Sequence, residues 1–98
     1  MDDLTDKEVI DIIKETLEYG YLIPSKHART QMLKRNYSIT DVKNILKNGT
    51  ISKREIDKSH RCYTLKGNDL EGHPGEVVIE LYASARKIVI ITVKGGVK

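Results

Sequence analysis

The clearest chemical signal in the sequence is a histidine at the start of a short basic helix. Residues 25–35 predict a helix with Ser25 as its N-cap, which places His27 in the first turn. At about 100° per residue, Gln31 and Arg35 lie about 40° and about 80° from His27 around the helix axis. One side of the helix could therefore present an imidazole, a competent general base near neutral pH, beside a guanidinium group that suits phosphate. The alternative is that His27 caps the helix or packs against the preceding segment.

Other basic and aromatic residues could contact a phosphodiester. Arg29 and Lys34 lie on the same helix, where phosphate contact and simple solvation both fit the pattern. His60 precedes a predicted strand in which Arg61 and Tyr63 point to one face, because strand side chains alternate. On an exposed face this tyrosine could stack on a base while the arginine holds a phosphate. The alternative is that Tyr63 belongs to the core.

Lys94 lies at the end of the last predicted strand, with Thr92 on the same face. It is either a functional cation or a plain strand terminus. The three histidines and the single Cys62 show no spacing known for metal sites, and His73 falls in a loop rich in glycine and proline. The sequence therefore predicts no metal and no cofactor, and a single cysteine excludes an intrachain disulfide.

Three predicted helices followed by four predicted strands would position these residues. Helices are expected at about residues 5–19, 26–35 and 39–47, and strands at about residues 50–57, 60–66, 76–82 and 87–94. The first strand is too charged to be central in a sheet. Residues 21–24 are expected to be extended, and residues 67–75 to form a loop. This order predicts one α+β domain, with N-terminal helices packed on a four-stranded antiparallel sheet.

Local signals mark where the helices begin and end. Residues 5–8 and 38–41 both read as N-terminal capping sequences, in which a hydroxyl side chain is followed three residues later by an acid. Asn36 stands where the second helix should end, and asparagine tolerates the left-handed conformation that this position needs.

The charge of the chain is unevenly distributed. The 98 residues include 17 Lys and Arg against 14 Asp and Glu, and residues 1–18 hold seven of the acids but two of the lysines. The other 80 residues therefore carry a net charge of +8. A basic body favours a polyanionic partner such as RNA or DNA. The acidic N-terminus has no apolar region typical of a secretory signal, and the apolar runs are too short to span a bilayer, so we expect a cytoplasmic protein without membrane contact.

The region that begins at Ser25 resembles a known family. Its residues are Ser25-x-His27-Ala28-x-x-x-Met32-x-x-Arg35-Asn36-x-Ser38-Ile39-x-Asp41-Val42, followed by Ile45-Leu46-x-x-Gly49. They are similar to the signature S-x-H-A-x-x-R-M-x-x-R-G-I-S-x-x-D-V of the bacterial and archaeal domain of unknown function 4258. The resemblance extends over about residues 22–94, because an Arg-x-Tyr strand and two apolar strands follow in the same order.

This resemblance implies a fold similar to that of the RelE-like and MqsR-like toxins. It also implies the toxin of a type II toxin–antitoxin system, a metal-independent endoribonuclease that cleaves mRNA and binds a cognate antitoxin. His27 would then be the base or acid, while Arg35 and Arg61 would stabilise the phosphate and Tyr63 would contact the substrate. Lys94 would be a second proton-transfer group. Arg29, Lys34 and His60 would bind RNA.

Three positions depart from the family pattern: Gln31 replaces the usual arginine, Asn36 the usual glycine, and Lys94 follows the last strand where an aromatic residue is common. Gln31 removes one cation from the expected site. A non-catalytic module that binds RNA or protein is therefore an alternative function. A role as an antitoxin or immunity protein is disfavoured, because an inhibitor of a ribonuclease usually imitates its acidic substrate.

Overall fold

The computed structural model describes residues 4–57 and 60–95. Within them, a mixed α+β domain contains the helices α1 (Asp6–Tyr19), α2 (Lys26–Arg35) and α3 (Ile39–Asn48). It also contains the strands β1 (Tyr21–Pro24), β2 (Thr50–Ile56), β3 (Arg61–Asn68), β4 (Pro74–Tyr82) and β5 (Lys87–Gly95). The three predicted helices and the four predicted strands are all present.

The helix ends follow the predicted capping chemistry. The Thr5 and Ser38 side chains accept hydrogen bonds from the backbone N–H groups of Glu8 and Asp41, and both acids bond back to the cap backbone. Asn36 ends α2 in the left-handed conformation, with φ 57° and ψ 38°. Local hydrogen bonding therefore determines where these helices begin and where α2 turns towards α3.

The sheet has five strands in the order β1-β5-β4-β3-β2, so the prediction of four antiparallel strands is wrong in one respect. Strands β2 to β5 pair antiparallel as expected, but β1 adds a parallel edge in which Tyr21 to Pro24 pair with Lys87 to Ile90. The sequence indicates only that residues 21–24 are extended. Their partner lies more than sixty residues away, and nothing local specifies it.

The predicted loop 67–75 is shorter than expected, because β3 and β4 extend to pair Gly67 with Gly75 and Asn68 with Pro74. Gly75 lies under α3 and the segment before it. A Cβ on Gly75 would lie 2.7 Å from the Ile45 Cδ1 atom and 2.8 Å from the Tyr37 Oη atom. Here glycine permits close packing within a strand and does not mark a loop.

All three helices contribute to one core on the same side of the sheet. The core cluster joins buried helix residues, such as Val9 of α1 and Ile45 of α3, to Leu65, Ile79 and Ile90 of the sheet. The opposite side alternates with these positions along β4, where Val77, Ile79 and Leu81 are buried and their neighbours are partly exposed. We call this second side the open face. It includes Cys62, Thr64, Lys66, Glu76, Val78, Glu80, Tyr82, Thr92 and Lys94.

Candidate functional site

The open face holds a cavity of about 380 Å³ that is lined by lysines from three strands. These are Lys53 of β2, Lys66 of β3 and Lys94 of β5. The remaining lining residues are Ser52, Glu55, Thr64, Glu76 and Val78. We call this the lysine cavity. Ammonium groups beside hydroxyl groups form a surface that can bind a phosphate or another anion.

Two carboxylates partly neutralise the lysine cavity. The sheet register places Glu76 between Lys66 and Lys94, and the Lys53 Nζ atom lies 3.5 Å from a Glu55 carboxylate oxygen. Three lysines against two acids leave an excess of one positive charge. The two carboxylates therefore offset part of the attraction of the lysine cavity for an anion, and Glu55 also pairs directly with Lys53.

Helix α2 lies along β5 beyond the point where β1 ends. The Gln31 Oε1 atom accepts a 2.7 Å hydrogen bond from the backbone N–H of Val93, and the Arg35 Nε atom donates a 3.2 Å hydrogen bond to the carbonyl of Gly95. At the start of the helix, the Ser25 N–H donates to the carbonyl of Ile90 at 2.9 Å. Side chains of α2 therefore complete the edge of β5 that β1 leaves unpaired.

Of the predicted catalytic residues, Arg35 and Lys94 lie at this contact between α2 and β5, and His27 lies in the first turn of α2. His27 and Arg35 are eight residues apart, which separates them by about 12 Å along the helix. Lys94 precedes Gly95, whose carbonyl binds Arg35, and its side chain lines the lysine cavity. His27 is exposed, and no side chain among the described residues forms a hydrogen bond with its ring.

The predicted RNA-binding residues Arg29 and Lys34 are also exposed on α2. Their positions agree equally with phosphate contact and with simple solvation, so both roles stay predictions. The neighbouring Leu33 is 83% exposed, which makes this surface of α2 partly apolar.

Tyr63 lies in the core, so its predicted contact with a base is wrong for this conformation. The residue is 1% exposed, and its hydroxyl accepts a 3.3 Å hydrogen bond from the Arg61 Nη1 atom. The Arg54 guanidinium lies 5.6 Å from the centre of the ring and forms a 2.6 Å ion pair with Asp6. Arg61 and Tyr63 do share a face, as predicted, but it is the face that the helices cover. Alternation specifies that two residues share a face, not which face it is.

His60 lies on the open face, at the end away from the lysine cavity. Its Nδ1 atom forms an ion pair with the Glu80 carboxylate, which is largely buried, whereas the imidazole is half exposed. The hydrogen bond and the charge of Glu80 raise the pKa of His60. The same bond lowers the pKa of Glu80, and Tyr82, whose hydroxyl also bonds Glu80, has a raised pKa for that reason.

Glu80 and Tyr82 are not among the site residues that the sequence predicted. An acid within the apolar strand Val77–Leu81 was the available signal, because burial of a charge requires a partner. That partner is distant in the sequence, so the pair with His60 could not be found by spacing.

The predicted residues therefore do not converge on one concave surface. Arg35 and Lys94 lie at the contact between α2 and β5, and His27 is exposed in the first turn of α2. His60 lies at the other end of the open face, and Arg61 and Tyr63 lie on the covered face. Within residues 4–57 and 60–95, no three His, Cys, Asp or Glu side chains are grouped so that they could hold a metal ion. No helix in the same ranges is long and apolar enough to cross a membrane.

Comparison with known proteins gives one match. The model of DUF4258, a domain of unknown function, matches residues 24–94. No curated protein matches the chain, and no solved structure does. The match begins after α1, although Val9 and Ile13 of α1 are fully buried in the common core.

Proposed function

This chain belongs to the DUF4258 family, and we propose that it is the toxin of a type II toxin–antitoxin system that cleaves mRNA without a metal. In this proposal the fold is RelE-like and the open face binds single-stranded RNA. The protein acts in the cytoplasm, and a cognate antitoxin inhibits it. The observation that supports the proposal best is the lysine cavity, where three strands bring ammonium groups to the uncovered side of the sheet.

Single-stranded RNA fits this surface for two physical reasons. Lysine ammonium groups bind phosphates. An RNA strand carries its phosphates at regular intervals, and a row of cations can follow this spacing. The hydroxyl groups of Ser52 and Thr64 line the same cavity and can bond phosphate oxygens or the 2′-hydroxyl. Positive charge near phosphorus also stabilises the charge that develops during cleavage.

The contact between α2 and β5 supports the catalytic part of the proposal. Lys94 borders the lysine cavity, and the Arg35 head group is fixed one residue away at Gly95. His27 starts the same helix and is open to solvent. Arg35 and Lys94 support a guanidinium group and an ammonium group at the contact of α2 with β5. In this proposal the imidazole of His27 acts from the first turn of the same helix.

The test is cleavage of a labelled single-stranded RNA in the presence of EDTA. We expect wild type to produce fragments, and we expect the double variant K66A/K94A to produce them much more slowly. For each lysine that contacts a phosphate, the slope of log binding constant against log salt falls by about 0.7 for single strands. The double variant should therefore lose a slope of about 1.4 in a titration with RNA.

Lys7→Ala is the control for loss of a charge elsewhere, because Lys7 is an exposed lysine of α1 that pairs with Asp11, away from the open face. It removes one charge and should leave cleavage and the salt slope as in wild type. If Lys7→Ala and K66A/K94A lose equal amounts of RNA cleavage and of salt slope, total charge matters and the lysine cavity does not. His27→Ala tests the base that the sequence predicts.

A non-catalytic RNA-binding module is the second candidate. The burial of Tyr63 and the distance between the predicted groups favour it, because catalysis requires groups within reach of one phosphodiester. This candidate predicts the same salt-sensitive RNA binding with no cleaved product. Growth arrest on expression in a host cell, relieved by a co-expressed antitoxin, would favour the toxin.

A further inference from the structure

Four side chains form a cluster at the end of the open face away from the lysine cavity. They are His60, which precedes β3, Glu80 and Tyr82 of β4, and Lys87 of β5. We call them the His60 cluster. The Glu80 side chain is 12% exposed and the His60 side chain 56%, so a shielded carboxylate holds an imidazole that faces water. The shielded carboxylate therefore favours one position of the imidazole ring.

Both the backbone and the ring of His60 are held in place. The Asp57 N–H donates a 3.0 Å hydrogen bond to the His60 carbonyl, and the His60 N–H donates a 3.2 Å hydrogen bond to the Asp57 carboxylate. On the side chain, the Nδ1 atom faces the Glu80 carboxylate. The His27 ring lacks such a partner among the described residues. Orientation of a base before the substrate arrives reduces the entropy cost of the reaction.

The pairing with Glu80 also selects one tautomer. A proton on Nδ1 is donated to the carboxylate, which leaves the lone pair on Nε2 available to accept another proton. Tyr82 bonds the same carboxylate and keeps it in position. The Lys87 ammonium lies 4.7 Å from the centre of the Tyr82 ring, so the cluster also holds a positive charge. An imidazole with a free nitrogen and an ammonium group in one cluster are suited to a phosphodiester anion.

We propose that His60 is the general base of the RNA cleavage reaction, with Glu80 as its positioning residue and Lys87 as the cation nearest the scissile phosphate. This inference rests on the ribonuclease function proposed above and names a base other than His27. The raised pKa of His60 that results from Glu80 makes the imidazole a stronger proton acceptor.

The reaction balances without any other reagent. Nε2 of His60 accepts the proton of the 2′-hydroxyl while the 2′ oxygen forms a bond to phosphorus and the bond from phosphorus to the 5′ oxygen breaks. A water molecule protonates the 5′ oxygen, and the hydroxide left behind takes the proton from His60. The products are a 2′,3′-cyclic phosphate and a 5′-hydroxyl, with no net use of water.

The first experiment compares initial rates of RNA cleavage in EDTA. His60→Ala should lower the rate by about 100-fold or more, the usual contribution of a general base. His73→Ala is the matched control, because His73 is also a half-exposed histidine with carboxylate partners, in the loop between β3 and β4. It should cleave at the wild-type rate. Imidazole added to the buffer should restore part of the activity of His60→Ala, and circular dichroism checks that each variant is folded.

The second experiment uses Glu80→Gln to separate positioning from a structural role. A base must be neutral, so the rate falls as the pH drops through the pKa of His60. Loss of Glu80 lowers that pKa, so this limb of the pH profile should move to lower pH, with a lower rate at its plateau. The other titratable groups of the cluster are Tyr82 of β4 and Lys87 of β5, and those around it are Glu55 of β2, Asp57 of the turn and Cys62 of β3. All of them stay unchanged in the variant.

The outcomes separate this inference from the proposed function. If wild type cleaves RNA and His60→Ala cleaves it equally well, His60 is not the base, while the ribonuclease proposal stands. Loss of activity in His60→Ala without imidazole rescue, and with an unshifted profile in Glu80→Gln, would show a structural role and overturn the inference. Wild type that binds RNA but never cleaves it overturns both proposals.

Discussion

Gln31 should contribute more to the stability of the fold than an exposed helix residue normally does. Its Oε1 atom accepts a 2.7 Å hydrogen bond from the backbone N–H of Val93, and Val93 is 0% exposed. Strand β1 cannot take over this bond if the side chain is shortened, because its pairing with β5 ends at Pro24 and Ile90. A buried N–H that loses its acceptor costs about 1–3 kcal/mol, so Gln31→Ala should lower the stability by that amount.

The assay is thermal and urea unfolding followed by circular dichroism. For a domain of this size, a loss of 1 kcal/mol lowers Tm by about 4–8 °C, so the expected drop for Gln31→Ala is at least about 4 °C. Gln31→Glu keeps an acceptor and should melt close to wild type. Gln31→Arg, which restores the residue usual in the family, offers only donors to the Val93 N–H and should behave like Gln31→Ala.

Thr30→Ala is the control, because Thr30 is exposed on the same turn and its hydroxyl bonds only to the carbonyl of Lys26. It should change Tm little. If Gln31→Ala and Gln31→Glu both melt within 1 °C of wild type, the hydrogen bond to Val93 does not stabilise the edge of β5. The contact between α2 and β5 would then need another explanation.

Three further predictions concern buried polar groups. Tyr37→Phe removes the 2.9 Å hydrogen bond to Asp69 and should cost about 1–3 kcal/mol in urea unfolding. Burial raises the pKa of Asp69, but hydrogen bonds from the His73 backbone, Tyr37 and the Glu71 backbone together lower it below its ordinary value. The stabilisation of the fold by ionised Asp69 is therefore complete above the ordinary pKa and is lost as the pH falls through the lower pKa of the folded state. A profile of Tm between about pH 6 and pH 2 checks this prediction. Tyr37→Phe should make Tm depend less on pH in this range. Tyr63→Ala should cost about 3–5 kcal/mol, whereas Tyr63→Phe should cost less than about 1 kcal/mol and leave RNA cleavage unchanged. Reduced cleavage in a stable Tyr63→Phe would mean that the hydroxyl reaches the substrate.

The sequence predicted the local parts of the fold well, because local hydrogen bonds determine them. The capping residues Thr5 and Ser38 and the left-handed Asn36 act within a few positions of themselves. Such local signals do not predict which distant segments of the chain pair with each other. Strand β1 is recognisable as extended, but its parallel partner is not, and the glycine at position 75 looks like a loop residue until the packing of Ile45 is known.

The candidate site shows the same limit. Spacing correctly placed Arg61 and Tyr63 on one face and His27 in the first turn of α2, but it could not decide which face of the sheet the helices cover. The lysine cavity combines three strands, and the pair of His60 with Glu80 joins residues twenty positions apart. Only the register of the sheet brings such residues together.

The most direct measurement for the central proposal is an analysis of RNA ends after incubation with the pure protein in EDTA. A 5′-labelled single-stranded RNA should yield fragments that end in a 2′,3′-cyclic phosphate, at a rate that K66A/K94A lowers and Lys7→Ala does not. Intact RNA after long incubation with excess wild type would contradict the account, and so would fragments that K66A/K94A produces as quickly as wild type.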